Sequence, residues 1–174
     1  MEQAIRIPVT DTGFRPEAVD ARSLARRSRA ELDALFAALP VPELSELRGD
    51  LRGSLMGVLG IDRLPIWLRD GIYAVLRTPL NVWRAKRFAG DHGVNRWGVG
   101  TGQLSFAAYR VKLTLALDGT GPCVQLDYDV DENLLPMRGI VGEVRRLGPG
   151  LLLARMNYRA GSAYACVLYF TLEH

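Results

Sequence analysis

Residues 109–130 read YRVKLTLALDGTGPCVQLDYDV, and the period of this stretch decides the fold. Tyr109, Val111, Leu113, Leu115 and Leu117 alternate with Arg110, Lys112 and Thr114. After the break, Val124, Leu126, Tyr128 and Val130 alternate with Gln125, Asp127 and Asp129. A period of two is that of a strand with one buried face. The residues between the runs, Asp118-Gly119-Thr120-Gly121-Pro122, are those of a hairpin turn. The stretch therefore reads as two antiparallel strands.

The same period extends in both directions. Residues 82–88 and 93–99 are short strand-like runs split by AGDHG. Residues 140–147 and 151–159 are divided by GPG, and 163–172 alternates Tyr164, Cys166, Leu168, Phe170 and Leu172. A Gly-rich first strand begins near residue 48. About eight strands joined by tight turns predict an antiparallel up-and-down β-barrel, mainly β with some α. No alternation of strand and helix suggests a parallel sheet.

Two segments depart from this period. Residues 16–39 predict an amphipathic helix, with Ala21, Leu24, Ala25, Ser28, Leu32, Leu35, Phe36 and Leu39 on one stripe. Pro16 and Glu17 suit its first turn and Pro40 stops it. Arg22, Arg26 and Arg29 share the opposite side; they are either a solvated face or a weak membrane-surface or partner contact. Residues 63–79 predict a helical insertion after the first strand. Leu68, Ile72, Val75 and Leu76 form its stripe, while Trp67 and Tyr73 lie off it. A segment apolar nearly all round is buried or lines something apolar, here a lid or wall of the barrel. No linker or repeat divides the chain. A single domain over 1–174 is expected, with helix 16–39 packed on a barrel of 48–174.

The acidic run Asp127, Asp129, Asp131, Glu132 imitates a calcium loop. Counted from Asp127, the sixth position is Glu132 where Gly is needed, and the twelfth is Arg138 where a carboxylate is needed. The run is read instead as the wet face of a strand entering a turn, its carboxylates paired with some of Arg138, Glu143, Arg145 and Arg146 across the sheet. No metal ligand is assigned: His92 is the one histidine before the terminal His174, and Cys123 and Cys166 have no ligand-spaced partners.

Net charge is +3 across 174 residues, with an isoelectric point near 9.1. The basic residues are spread rather than banded with stacking aromatics, so no nucleic-acid partner is expected. No apolar run reaches the ~18 residues of a membrane helix, and the N-terminus has no signal-peptide core. Free thiols and a cytoplasmic location are expected.

The order of short motifs resembles a calycin-like, lipocalin-like family of largely uncharacterised bacterial proteins named for G-x-W-x-G. That motif corresponds to Gly49-Asp50-Leu51-Arg52-Gly53, with Leu51 in the Trp position. The W-x-G-K-x-F signature corresponds to Trp83-Arg84-Ala85-Lys86-Arg87-Phe88. Tyr128-Asp129, the strand GEVRRL (142–147) and YFTLE (169–173) complete the series, which covers the chain from about residue 35. The resemblance implies a calycin-like barrel and carries over no catalytic residue. A looser likeness is to intracellular fatty-acid-binding barrels, which have a helical lid after the first strand and hold a carboxylate with Arg and Tyr. Arg155 and Tyr158 lie late in the chain but three apart, on opposite sides of a regular strand.

No nucleophile–base set or phosphate loop stands out, and GVGTGQ (98–103) joins strand to strand rather than strand to helix. The expected function is to bind one small apolar or amphipathic ligand, without a cofactor, in the barrel. The alternatives are an interaction protein with a filled barrel and a small enzyme using the cavity. The candidate ligand-binding residues are Trp67, Tyr73, Trp83, Tyr109, Tyr128, Arg145 and Tyr158. Glu143 and Arg145 share a strand face that is either the interior or the wet exterior.

Overall fold

The period-two segments pair in sequence order into a closed barrel of eight antiparallel strands. The structure, a computed structural model, describes residues 21–58, 83–99 and 102–174. The strands are β1 (Gly49–Val58), β2 (Trp83–Phe88), β3 (His92–Val99), β4 (Gly102–Leu115), β5 (Pro122–Asp127), β6 (Ile140–Gly148), β7 (Leu151–Ala160) and β8 (Ala163–Glu173). Arg52–Val58 of β1 pair with Leu168–Glu173 of β8 and close the barrel. Two short helices precede it, α1 (Ala21–Ala25) and α2 (Arg29–Ala38). The insertion expected at 63–79, with Trp67 and Tyr73, lies outside the described residues, as do 16–20.

The continuous helix expected over 16–39 is corrected to two. Ser28 is extended, its hydroxyl accepts from the Glu31 amide at 3.3 Å, and the Glu31 carboxylate accepts from the Ser28 amide at 2.7 Å. This reciprocal cap starts a new helix inside an unbroken apolar stripe. The stripe docks as expected: Leu24, Leu32, Leu35, Phe36 and Leu39 are buried against Met56, Leu147, Leu153, Cys166 and Tyr169. These belong to the outer faces of β1, β6, β7 and β8, so that side of the sheet is covered on both faces.

The interior is a second apolar cluster. Leu51, Phe88, Tyr109, Val124, Leu126, Tyr128, Val144, Leu152, Ala154, Phe170 and Leu172 fill it. Leu47, just ahead of β1, joins them at the end of the barrel where β1 begins.

Two local departures from regular pairing position the site. The register between β3 and β4 shifts at Val94/Asn95, and Ala107, opposite the shift, has a φ of 65°. The buried Asn133 clamps this bulge: its Oδ1 accepts from the Ala108 amide at 2.9 Å, and its Nδ2 donates to the carbonyls of Ala108 at 2.7 Å and Tyr128 at 2.8 Å. Strand β5 also ends at Asp127, short of the expected Val130, because the Asp127 side chain accepts from the Asp129 amide at 3.0 Å and turns the chain.

Docking of α2 contributes most through its largest side chain. Phe36→Ala should lower the free energy of unfolding by ~3–5 kcal/mol through lost burial and a residual cavity, and Ser28→Ala by ~0.5–2 kcal/mol through loss of the cap. Urea unfolding followed by circular dichroism measures both; equal effects would show that Phe36 is not the anchor.

Candidate functional site

Regular alternation along β2 would set Trp83 on the face opposite Lys86 and Phe88. The β2–β3 register shifts between Trp83 and Ala85, and the shift brings Trp83 inside with them. Its ring lies edge-on to Phe170, centroids 5.3 Å apart, and over Gly53. A Cβ at Gly53 would come within 2.1 Å of that ring, so the last glycine of the 49–53 motif makes room for the indole.

Lys86 thereby stands in the barrel interior, 4% exposed. Its Nζ donates to Asn95 Oδ1 at 2.7 Å and to the Tyr128 hydroxyl. Four rings surround it, with centroids 4.8 Å (Tyr109), 5.1 Å (Tyr128), 5.5 Å (Phe170) and 5.8 Å (Trp83) away. Among the described residues no carboxylate pairs with it. Burial alone lowers its pKa from 10.5 to about 7. Burial also holds the Tyr128 phenol well above its usual range, a neutral hydroxyl that donates to Asn95 Oδ1 at 3.3 Å. Tyr109 is likewise raised, by burial first, and its hydroxyl donates to the Arg87 carbonyl at 3.0 Å. Gly93 lets this ring lie flat on the backbone, where a Cβ would come within 2.5 Å of it.

The two ends of the interior differ. Where β1 begins, the inward side chains Leu47, Leu51, Phe88, Leu152 and Leu172 are all buried. Where β1 ends, Leu55, Trp83, Met156 and Leu168 pack on the interior cluster yet are only partly buried. Among the described residues solvent thus reaches the interior cluster where β1 ends, its open end, while Leu47 and its neighbours pack shut most of the end where β1 begins, with Leu113 and Leu115 of β4 still exposed there and Lys86 between the two ends. Toward the open end Trp97 stacks on Phe106 at 4.7 Å and 13°, and its Nε1 is buried with no acceptor among the described residues.

Glu143 and Arg145 resolve to neither alternative. They face outward, on the strand face of Leu147, yet are buried beneath α2. Glu143 accepts from the Leu117 amide at 2.6 Å, Arg155 Nε at 2.7 Å and Asn157 Nδ2 at 3.0 Å. Arg155 also reaches Asp118 at 2.7 Å. The Arg155 hydrogen bond holds Asp118 well below the usual carboxylate range, and together the two carboxylates outweigh the cost of burying Arg155. Arg145 Nη1 donates to the carbonyls of Phe36 and Ala37 at 2.7 and 2.6 Å, capping the C-terminal end of α2. The Arg155 and Arg145 guanidinium groups lie 4.3 and 4.9 Å from the Phe36 ring. Cys123 faces Glu143 at 3.7 Å, and burial, then that carboxylate, push its thiol up to about 12. It is no nucleophile.

Of the sequence candidates, Trp83, Tyr109 and Tyr128 converge on Lys86. Arg145 braces the helix outside the barrel. Tyr158 is 40% exposed, at the rim against Gly139. Two carboxylates of the acidic run are paired: Asp127 with Lys112 of the neighbouring strand β4 at 2.7 Å, and Asp131 with Arg138 at 3.2 Å within the same loop rather than across the sheet. Exposed His92 meets Asp91 at 3.0 Å. Lys86 and Asn95 were not among the candidates; the only signal for them was a lysine held between Trp83 and Phe88 in a strand-like run.

No family model matches the chain, and no curated protein sequence does. Among solved structures, the crystal structure of a protein from Thermomonospora curvata is similar, with a TM-score of 0.54 and 21% identity over 85% of this chain and 88% of that one. At that identity the likeness is one of fold.

The lowered pKa of Lys86 has a defined sign in stability. Between pH 7 and 10.5 the unfolded chain keeps a proton that the folded chain sheds, so its cost to folding is full below pH 7 and disappears as pH rises through that window. Lys86→Met should therefore stabilise the protein by roughly 3–5 kcal/mol at pH 6, with the gain shrinking toward pH 10. Denaturant unfolding at a series of pH values measures it; a gain independent of pH would show that Lys86 keeps its proton throughout.

Proposed function

We propose that the barrel binds one small, mainly apolar ligand by a single polar head, seated on Lys86 at the floor of the cup. The observation that carries this reading is a buried amine whose partners among the described residues are all neutral. Burying a group that can carry charge costs several kcal/mol, and a folding core gains nothing from Lys86 that a methionine would not supply. A pocket with apolar walls and one convergent polar cluster is the form of a small-molecule site. Support also comes from the open end, where Leu104, Phe106, Leu134, Leu135, Tyr158 and Tyr164 are exposed apolar side chains. On this reading the chain is one domain, a cytoplasmic member of the calycin-like family its motifs resemble, with both cysteines kept as buried thiols.

The crowd of rings around Lys86 favours the second reading, a filled barrel that serves as an interaction scaffold. Tryptophan fluorescence decides between them. In a panel of long-chain alcohols, fatty acids and retinoids, at least one class should quench emission and raise the melting temperature, and Trp83→Phe should remove most of the quenching. A panel that leaves both emission and melting unchanged would favour the filled barrel.

A further inference from the structure

We infer that Lys86 takes an apolar aldehyde or ketone as a covalent imine, so that the ligand class of the cup is a carbonyl compound. This rests on the reading of the barrel as a ligand cup. The chain contains two lysines and twenty arginines. Lys112 lies on the surface, paired with Asp127. The other lysine stands inside the barrel. Arginine is always protonated, whereas lysine can shed its proton when buried and become a nucleophile. The chain thus uses arginine almost everywhere it needs a cation and lysine at the one interior position.

The surroundings of Nζ select the head group. A carboxylate placed there would meet the Lys86 ammonium, but against it stand four ring faces and the Asn95 carbonyl oxygen, which repel an anion. A neutral carbonyl meets no such penalty. The iminium cation it forms is stabilised by the same rings. Burial, which favours the free amine, prepares the nucleophile. The approach lies beside Trp83, because Tyr109, Tyr128 and Phe170 are buried while Trp83 is only partly so.

The step balances without a co-reactant. The Nζ lone pair adds to the carbonyl carbon, the C=O π pair moves to oxygen, and that oxygen takes a proton. The Tyr128 hydroxyl, already bonded to Nζ, supplies this proton and recovers one from Nζ. The carbinolamine oxygen then takes a second proton from the Tyr128 hydroxyl and leaves as water, giving the iminium, and the iminium returns its N–H proton to the Tyr128 oxygen to leave the imine. One amine and one carbonyl give one imine and one water.

The test uses the full chain with decanal and sodium cyanoborohydride at pH 7, and decanol as the matched non-carbonyl probe. Peptide mass mapping should find the reduced adduct on Lys86 at a rate at least ten-fold above Lys112 and the N-terminal amine. Lys86→Met should abolish that adduct and Lys112→Arg should leave it intact. The Lys86 rate should rise between pH 6 and 8 and then level. Equal labelling of Lys86 and Lys112, or none on Lys86, with both decanal and decanol still quenching tryptophan, would overturn the imine and leave the ligand cup standing. Neither labelling of Lys86 nor quenching by either probe would overturn both.

Discussion

The pairing of β1 with β8 is the constraint on which the rest depends. It removes both edges of the sheet at once, so every interior strand has two neighbours and no edge remains to pair with another chain. Arg52 is the hinge of this closure, in register with Ala85 of β2 and with Glu173 of β8. Closure also fixes how close the side chains of neighbouring strands come at the seam. Gly53 on β1, Trp83 on β2 and Phe170 on β8 meet across the seam, and the cage around Lys86 is built on that meeting.

The outer wall is braced differently from the inner one. Inside, apolar packing does most of the work and one amine is tolerated. Outside, beneath α2, Glu143, Arg155, Asp118, Asn157 and Arg145 form a connected polar network joining the β4–β5 turn, β6, β7 and the end of α2. Such a network is worth having only when its members are satisfied, since an unpaired buried charge costs far more than the pair gains. Glu143 meets that condition with three donors, whereas the buried Arg145 Nε has no acceptor among the described residues. Phe36, lying against both guanidinium groups, joins this network to the apolar stripe of the helix, so the two kinds of contact act on one side chain.

The barrel was legible in the sequence because a period of two survives every tertiary detail. Strand number, order and the hairpin at 118–122 all follow from it. What was not legible has a few physical causes. The Trp83/Ala85 and Val94/Asn95 shifts each break the period by one residue, and a periodic reading places side chains on faces only where the period holds. Trp83 reaches the interior through one such shift. Arg145 was read by its strand parity, which does not reveal that a helix covers the outer face. The break at Ser28 was written in the Ser28–Glu31 spacing, but the apolar stripe running through it masked the signal. A lysine in a strand ordinarily faces outward, so nothing in the sequence marks Lys86 as interior.

The bulge at Ala107 also decides the chemical character of the barrel mouth. Without the extra residue, the parity set by Tyr109 would turn Ser105 and Gln103 inward. With it, Phe106 and Leu104 share the face of Asn95 and Trp97, while Ser105 and Gln103 bond Arg96 on the other side. A single backbone slip, held by Asn133, therefore converts a hydrophilic rim into a greasy one. The acidic loop that imitates a calcium site contributes through its one amide rather than its carboxylates. Shortening or lengthening β4 by one residue ahead of Tyr109 would invert the polarity of the mouth while leaving its composition untouched.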